Sequence, residues 1–140
     1  MDVKEYEHRV QYYETDQMGI VHHSNYIRWF ESARLDFMKQ IGMPYRKMEE
    51  MGIISPVLSV ECRYKEMVYF DDVVHIKADL VKYNGIKMEI KYTVVNEADG
   101  KICTEGSSSH CFLDKKGGIL SLKKSYPDIH VLFENVKHNT

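Results

Sequence analysis

The sequence predicts an α+β domain in which an antiparallel β-sheet curls around one long central helix. Three observations carry that expectation. Apolar residues recur with a helical period from Tyr26 to Ile41, four later stretches alternate apolar and polar residues, and Asn84-Gly85 and Asp99-Gly100 stand between the later stretches. A period near 3.6 marks a helix with one buried stripe, whereas a period of two marks a strand with one buried face. Asn-Gly and Asp-Gly tolerate positive φ and favour tight hairpins, so the strands they join are antiparallel neighbours. A lone helix covers one face of such a sheet. Because it comes early in the chain, the sheet has to wrap round it.

In order along the chain, Tyr6 to Tyr13 carry aromatic and β-branched residues without a helical period, which predicts a first strand. Glu14 to His23 break that pattern around Gly19 and read as a loop. Tyr26, Phe30, Ala33, Phe37 and Ile41 then form one apolar stripe, with Arg28, Ser32, Asp36 and Lys39 opposite. Ser24 is the expected N-cap, its hydroxyl accepting from a free N–H of the first turn. Gly42 suits a left-handed helix end and Pro44 blocks resumption. No second long helix is expected. Tyr45 to Met51 predicts a short one before Gly52. In the first β stretch Leu58, Val60, Cys62 and Tyr64 alternate with Ser59, Glu61, Arg63 and Lys65. Val74 to Leu80, Met88 to Val94 and Ile102 to Phe112 repeat the alternation, which predicts one buried and one wet face. Lys115-Lys116-Gly117-Gly118 ends the last long strand. The tail from Ile119 is open between strand and helix before fraying at His138-Asn139-Thr140.

A chain of 140 residues with 44% hydrophobic and 29% charged residues fits one folded domain over 1–140. The formal net charge of -2 argues against electrostatic capture of nucleic acid or of an anionic membrane. No apolar run reaches the length of a bilayer span, so membrane insertion is not expected. Met1 to Glu5 show no apolar signal region, which makes the cytoplasm the expected compartment. Cys62, Cys103 and Cys111 are an odd number without metal-ligand spacing and read as reduced thiols.

One segment concentrates reactive groups. Between Tyr13 and Tyr26 lie the Asp16 carboxylate, Gly19, the imidazoles of His22 and His23, and the start of the helix. A carboxylate ionised at neutral pH serves as nucleophile or general base, and also as an ordinary loop or capping aspartate. Spacing alone leaves both readings of Asp16 open. The first N–H groups of a helix carry the positive end of its dipole and favour a developing oxyanion. A metal site is not expected, because adjacent histidines point apart and His8, His75, His110 and His130 show no ligand spacing with them. Ser107-Ser108-Ser109-His110 reads as a polar strand face. No phosphate-binding glycine loop, serine nucleophile elbow or dinucleotide fingerprint is present.

The segment Tyr13, Asp16, Gly19, Ile20, Val21, Asn25 and Tyr26 resembles the signature of hotdog-fold acyl-CoA thioesterases. The branch it looks most like holds 4-hydroxybenzoyl-CoA thioesterase and the short-chain acyl-CoA thioesterases associated with the Tol-Pal system. The order of strand, loop, helix and antiparallel strands agrees over nearly the whole chain. The resemblance implies a hotdog fold and hydrolysis of an acyl-CoA to a free acid and CoA, with no cofactor but water. It implies that Asp16 attacks the thioester or activates water, and that the backbone at His23 supplies the oxyanion donor. The His23 side chain is a further catalytic candidate. Gly19, Val21, His22 and Tyr26 are the positions expected at the substrate. His22 stands where the Tol-Pal branch has tyrosine, and Gln17-Met18 replace the small residues often found there.

The same resemblance implies a dimer or tetramer with sites at subunit interfaces. Glu31 and Arg34, three apart on the helix, are expected to pair with each other; Glu31 reaching a neighbouring subunit's site is the alternative. The CoA phosphates need cations, and Arg63, Lys65, Lys87, Lys91, Lys115 and Lys116 are the candidates. Two other functions compete: enoyl-CoA hydration by an acid–base pair of Asp16 and His23, and non-catalytic binding of acyl-CoA.

Overall fold

A computed structural model describes residues 3–139. Five strands, β1 (Tyr6–Arg9), β2 (Val57–Tyr64), β3 (Val73–Tyr83), β4 (Lys87–Asn96) and β5 (Ile102–Cys111), form one sheet in the order β1-β3-β4-β5-β2. All pairings are antiparallel. Helices α1 (Ser24–Gln40), α2 (Tyr45–Glu50), α3 (Leu122–Ser125) and α4 (Pro127–Asn139) complete the fold, with a single 3₁₀ turn at Tyr12–Glu14. None of the described helices is long and apolar enough to cross a membrane.

The long helix lies where its periodicity requires. Tyr26, Phe30, Ala33, Phe37 and Ile41 are all buried, and Trp29 and Met38 widen the stripe. They meet the inward face of the sheet, which includes Val74, Ile76 and Leu80 of β3 and Ile90, Tyr92 and Val94 of β4. Each large side chain so buried contributes about 1.5–3 kcal/mol relative to leaving it in water. Gly42, at φ 96°, ends α1 as expected. Both hairpin turns form at the expected dipeptides, with Gly85 at φ 89° and Gly100 at φ 70°.

The depth of α1 is set at one point. The Phe30 ring stacks on Tyr92, with centroids 4.4 Å apart and planes 4° from parallel. Tyr92 pairs across the sheet with Gly106, which pairs on its other side with Cys62. A Cβ on Gly106 would run into the Phe30 ring and the Glu61 carbonyl. Gly106 therefore leaves the space that lets the helix approach the sheet.

Four expectations need correction. The first strand ends at Arg9, because Gln11 turns the chain into the 3₁₀ helix. Ser24 is the first helical residue and caps nothing: His23, at φ -54° and ψ -29°, precedes it, and the Ser24 hydroxyl bonds the His22 ring instead. The expected buried face of β2 is largely uncovered: Leu58, Val60 and Tyr64 are exposed, and of that set Cys62 alone packs against the core. The tail holds a second long helix, α4, which packs Ile129, Phe133 and Val136 against Tyr83 and Phe112. α4 is bounded at Asn139, and Thr140, the last of the residues expected to fray, lies outside the described residues.

Gly106→Ala should lower stability by about 2–4 kcal/mol, because the new methyl meets backbone on one side and a stacked ring on the other. The urea midpoint measures the loss. A Gly106→Ala variant as stable as the parent would refute the account of how α1 is seated.

Candidate active site

The loop before α1 is a small closed hairpin. Thr15 bridges Val21, and the Asp16 N–H donates to the Ile20 carbonyl at 2.9 Å. Gly19, at φ 80°, makes the reversal, and its N–H donates to the Asp16 carbonyl at 2.9 Å. The Asp16 side chain is held by its own turn: Oδ1 accepts from the Met18 N–H at 2.8 Å. No hydrogen bond to Asp16 Oδ2 is present among the described residues.

The start of α1 is nearly fully bonded. The Ser24 N–H donates to His22 Nδ1 at 3.2 Å, the Asn25 N–H to the His22 carbonyl at 3.0 Å, and the Tyr26 N–H to the His23 carbonyl at 3.3 Å. The His23 N–H has no partner among the described residues. One unsatisfied donor thus remains at the positive end of a 17-residue helix.

Asp16 and His23 line one cavity of about 370 Å³, together with Ile20, Val21, Tyr26, Tyr64, Lys65, Glu66, Met67 and Val68. Its wall is largely apolar. The Tyr26 and Tyr64 rings meet edge to face at 5.2 Å, and the Tyr64 hydroxyl reaches toward the His23 carbonyl at 3.5 Å. Burial pushes the Tyr26 hydroxyl up to about 12, with the Thr104 hydroxyl opposing that shift. Tyr26 therefore stays a neutral hydrogen-bonding group.

Of the residues predicted from the sequence, Asp16, Val21, His23 and Tyr26 come together in this cavity. Gly19 and His22 do not line it. Gly19 supplies the turn, and His22 stacks on His23 with centroids 4.2 Å apart. Glu31 and Arg34 form no ion pair; Arg34 Nη1 instead lies 3.5 Å from His110 Nε2. Among the six candidate cations Lys65 alone lines the cavity, and it pairs with Glu105 at 3.1 Å.

Glu14 is the residue that sequence reasoning missed. It looks like one more charge at the edge of a loop, yet it is 5% exposed. Its Oε1 accepts from His8 Nε2 at 2.8 Å and from the Gln11 N–H at 2.8 Å; Oε2 accepts from the Trp29 indole N–H at 2.7 Å. Burial alone would raise its pKa. The donors at Gln11, Trp29 and His8 outweigh that and hold the carboxyl below its ordinary value. The retrospective signal is the reach from one acidic residue to a tryptophan on the buried stripe.

Two other polar groups stand apart from the cavity. Tyr92, Ser108 and His110 form a buried chain, with Oη to Oγ at 2.6 Å and Oγ to Nε2 at 2.7 Å. The serine and histidine are 3% and 0% exposed, so two residues of the expected polar stretch face inward and are wired together there. His110 Nδ1 faces the Pro56 carbonyl without a well-formed hydrogen bond. On the outer face Glu7, His75 and Glu97 bring potential ligand atoms within 4.8 Å of one another. They come from three neighbouring segments, which is why sequence spacing hid them. His75 Nε2 lies 3.2 Å from Glu97 and 3.8 Å from Glu7, contacts that a protonated imidazole satisfies as ion pairs.

A sheet wrapped on one helix, with a carboxylate and a free N–H at the helix start, defines a class of fold and site. The profile of the Thioesterase-like superfamily matches residues 10–132, and the chain belongs to that family. It has the hotdog fold. A Bacillus subtilis protein, YneP, named as a candidate acyl-CoA thioesterase, is 36% identical over 98% of this chain and 99% of its own. A DHNA-CoA thioesterase from Staphylococcus aureus superposes with a TM-score of 0.91 at 34% identity, covering 96% of this chain and 91% of that one. A hypothetical protein from Aquifex aeolicus gives 0.82 at 37% identity, over 89% and 97%.

The buried chain makes a pH prediction. Burial, with Arg34 adding to it, pushes the His110 imidazole down to about 4. The unfolded chain takes up that proton near pH 6.5, whereas the folded chain resists it. The contribution is complete above about pH 6.5 and is lost as pH falls towards 4, up to about 3 kcal/mol in all. His110→Gln should flatten the urea stability profile in that window. An unchanged acid slope would show that His110 does not stay neutral inside.

Proposed function

We propose that the protein hydrolyses an acyl-CoA thioester to a free acid and CoA, using water and no other cofactor. The observation that carries this reading is the shared cavity, where a carboxylate with a free oxygen meets a helix N-terminal N–H with no partner. Asp16 Oδ2 attacks the thioester carbon, or takes a proton from the water that does. The negative charge gathering on the carbonyl oxygen is met by the His23 N–H and the dipole of α1, and one such donor is worth about 3 kcal/mol. The thiolate of CoA leaves, and water completes release of the acid. In the carboxylate-attack route that last water opens an acyl–Asp16 anhydride.

The support comes from several sides. The relatives named above include proteins described by thioesterase activity on CoA esters. Ile20, Val21, Met67 and Val68 supply an apolar wall suited to an acyl group, and Tyr26 and Tyr64 add aromatic faces. The His23 imidazole lines the same cavity, which supports a part for it in protonating the departing thiolate. Lys65 is the cation nearest to hand for the charged end of CoA.

The same reading has the protein act as a homodimer or a higher assembly of dimers. β2 is an edge strand whose apolar Val57, Leu58, Val60 and Tyr64 lack cover. An edge of that kind is normally paired or protected. Self-pairing of β2 across a two-fold axis buries those residues and closes the open side of the cavity beside Tyr64.

Asp16→Asn should reduce thiol release from saturated acyl-CoA esters by at least about 100-fold while binding persists. Near-normal turnover in that variant would remove Asp16 from the mechanism, and activity confined to enoyl-CoA would point to hydration instead. Label in Asp16 after single-turnover hydrolysis in ¹⁸O-water would establish carboxylate attack with the anhydride opened at the Asp16 carbon; opening at the acyl carbon labels the product acid alone, as direct water attack does. Val60→Lys should shift the assembly towards monomer in analytical ultracentrifugation. A dimer of unchanged strength would exclude the β2 edge as the interface.

A further inference from the structure

We propose that Glu14 is a positioning residue for the hydrolytic site, fixing the Asp16 carboxylate and the His23 N–H relative to each other. The inference rests on the thioesterase reading above and goes beyond it, since Glu14 is not among the residues that line the cavity.

Both ends of the reactive segment are tied to this one residue. Through its side chain Glu14 joins β1, by His8, to α1, by Trp29, and it also closes its own 3₁₀ turn onto the Gln11 N–H. Through its backbone it holds the far end of the loop. Its carbonyl accepts from the His22 N–H at 2.8 Å and from Asn25 Nδ2 at 2.8 Å, and Asn25 Nδ2 also reaches the His22 carbonyl at 3.2 Å. Asp16 follows Glu14 with only Thr15 between them. His23 directly follows the residue whose N–H Glu14 accepts. The two working groups are therefore each within two residues of a Glu14 anchor. A shift of a few tenths of an ångström at Glu14 reaches both.

The chemistry of the anchor explains its stiffness. Three donors converge on a buried carboxylate that stays ionised, and charge-assisted hydrogen bonds are the short, strong kind. His8 is further fixed by its ring contact with Trp29, at 4.9 Å between centroids. A neutral amide at this position keeps the size and one strong acceptor, but gives up the charge and cannot accept from all three donors equally well.

The test uses the full chain with Glu14→Gln and, separately, Trp29→Phe. Trp29 is the sole tryptophan, so its emission reports the anchor directly in the first variant. In Glu14→Gln, kcat for thiol release should fall at least about tenfold with KM within about twofold, and amide hydrogen exchange should rise across residues 14–25 while the strands keep their protection. Trp29→Phe, which removes one donor of three, should show the same pattern at smaller amplitude and decides the matter where Glu14→Gln does not fold. A merely structural role would raise exchange throughout the chain and leave the kcat of the folded fraction intact; that result overturns the proposal. Wild-type protein that releases no thiol from any acyl-CoA refutes the thioesterase reading. In that case local exchange across residues 14–25 alone judges the anchor: a confined rise upholds it, and an unchanged or global profile overturns it.

Discussion

The seating of Phe30 against Tyr92 and Gly106 is the contact on which the rest of the molecule depends. A helix proposed to serve chemistry at its N-terminus has to be fixed in depth as well as in direction. Depth comes from the missing side chain at Gly106, which admits the ring to the sheet. Direction comes from the stripe of large apolar residues that the curled sheet encloses. With those two fixed, the first turn of α1 cannot slide, and the loop ahead of it can be shaped to within a hydrogen bond. Tyr26 belongs both to the core stripe and to the cavity, and Asp16 and His23 stand in the loop that leads into the same helix.

Much of this was legible because it rests on periodicity. The spacing of Tyr26, Phe30, Ala33, Phe37 and Ile41 reports a buried face directly, and the dipeptides at Gly85 and Gly100 report their turns. What escaped the sequence depends on partners far along the chain. Nothing local to Glu14 says that Trp29 and His8 will converge on it, since a carboxylate beside a loop has the same appearance when solvated. Helix α4 escaped for a related reason: its apolar residues Ile129, Phe133 and Val136 follow a sequence of loop-like residues, and they gain meaning only against Tyr83 and Phe112. The alternation in β2 was read correctly as alternation, but burial is a property of the cover. The helix meets β2 near Tyr64, through Tyr26, and leaves Leu58 and Val60 exposed.

The site itself was half legible. Asp16 and His23 could be selected by resemblance and by the reactivity of their groups, and they do share a cavity. The roles of their neighbours could not be read from spacing. His22 is drawn out of the cavity by its bonds with Ser24, whereas Tyr64 enters it from the end of a strand forty residues later. Capping was misplaced by the same local competition. The Ser24 hydroxyl found an imidazole two residues back, and the helix began without a side-chain cap.

That missing cap is where folding and chemistry meet. A side-chain oxygen before α1 would compete for the unsatisfied N–H groups of the first turn. Here the ring nitrogen of His22 takes the Ser24 N–H, carbonyls take those of Asn25 and Tyr26, and the His23 N–H is left over. The same economy governs Asp16, where one oxygen is spent on the Met18 turn and the other is free. An unpaired donor and an unpaired acceptor are liabilities in a folded chain unless water or a ligand meets them. Placing both at one cavity, beneath a helix too well packed to relax towards them, keeps the two groups apart from each other and available to a third. In the proposed reaction a polarised carbonyl group answers both at once: its oxygen takes the donor, and its carbon takes the lone pair.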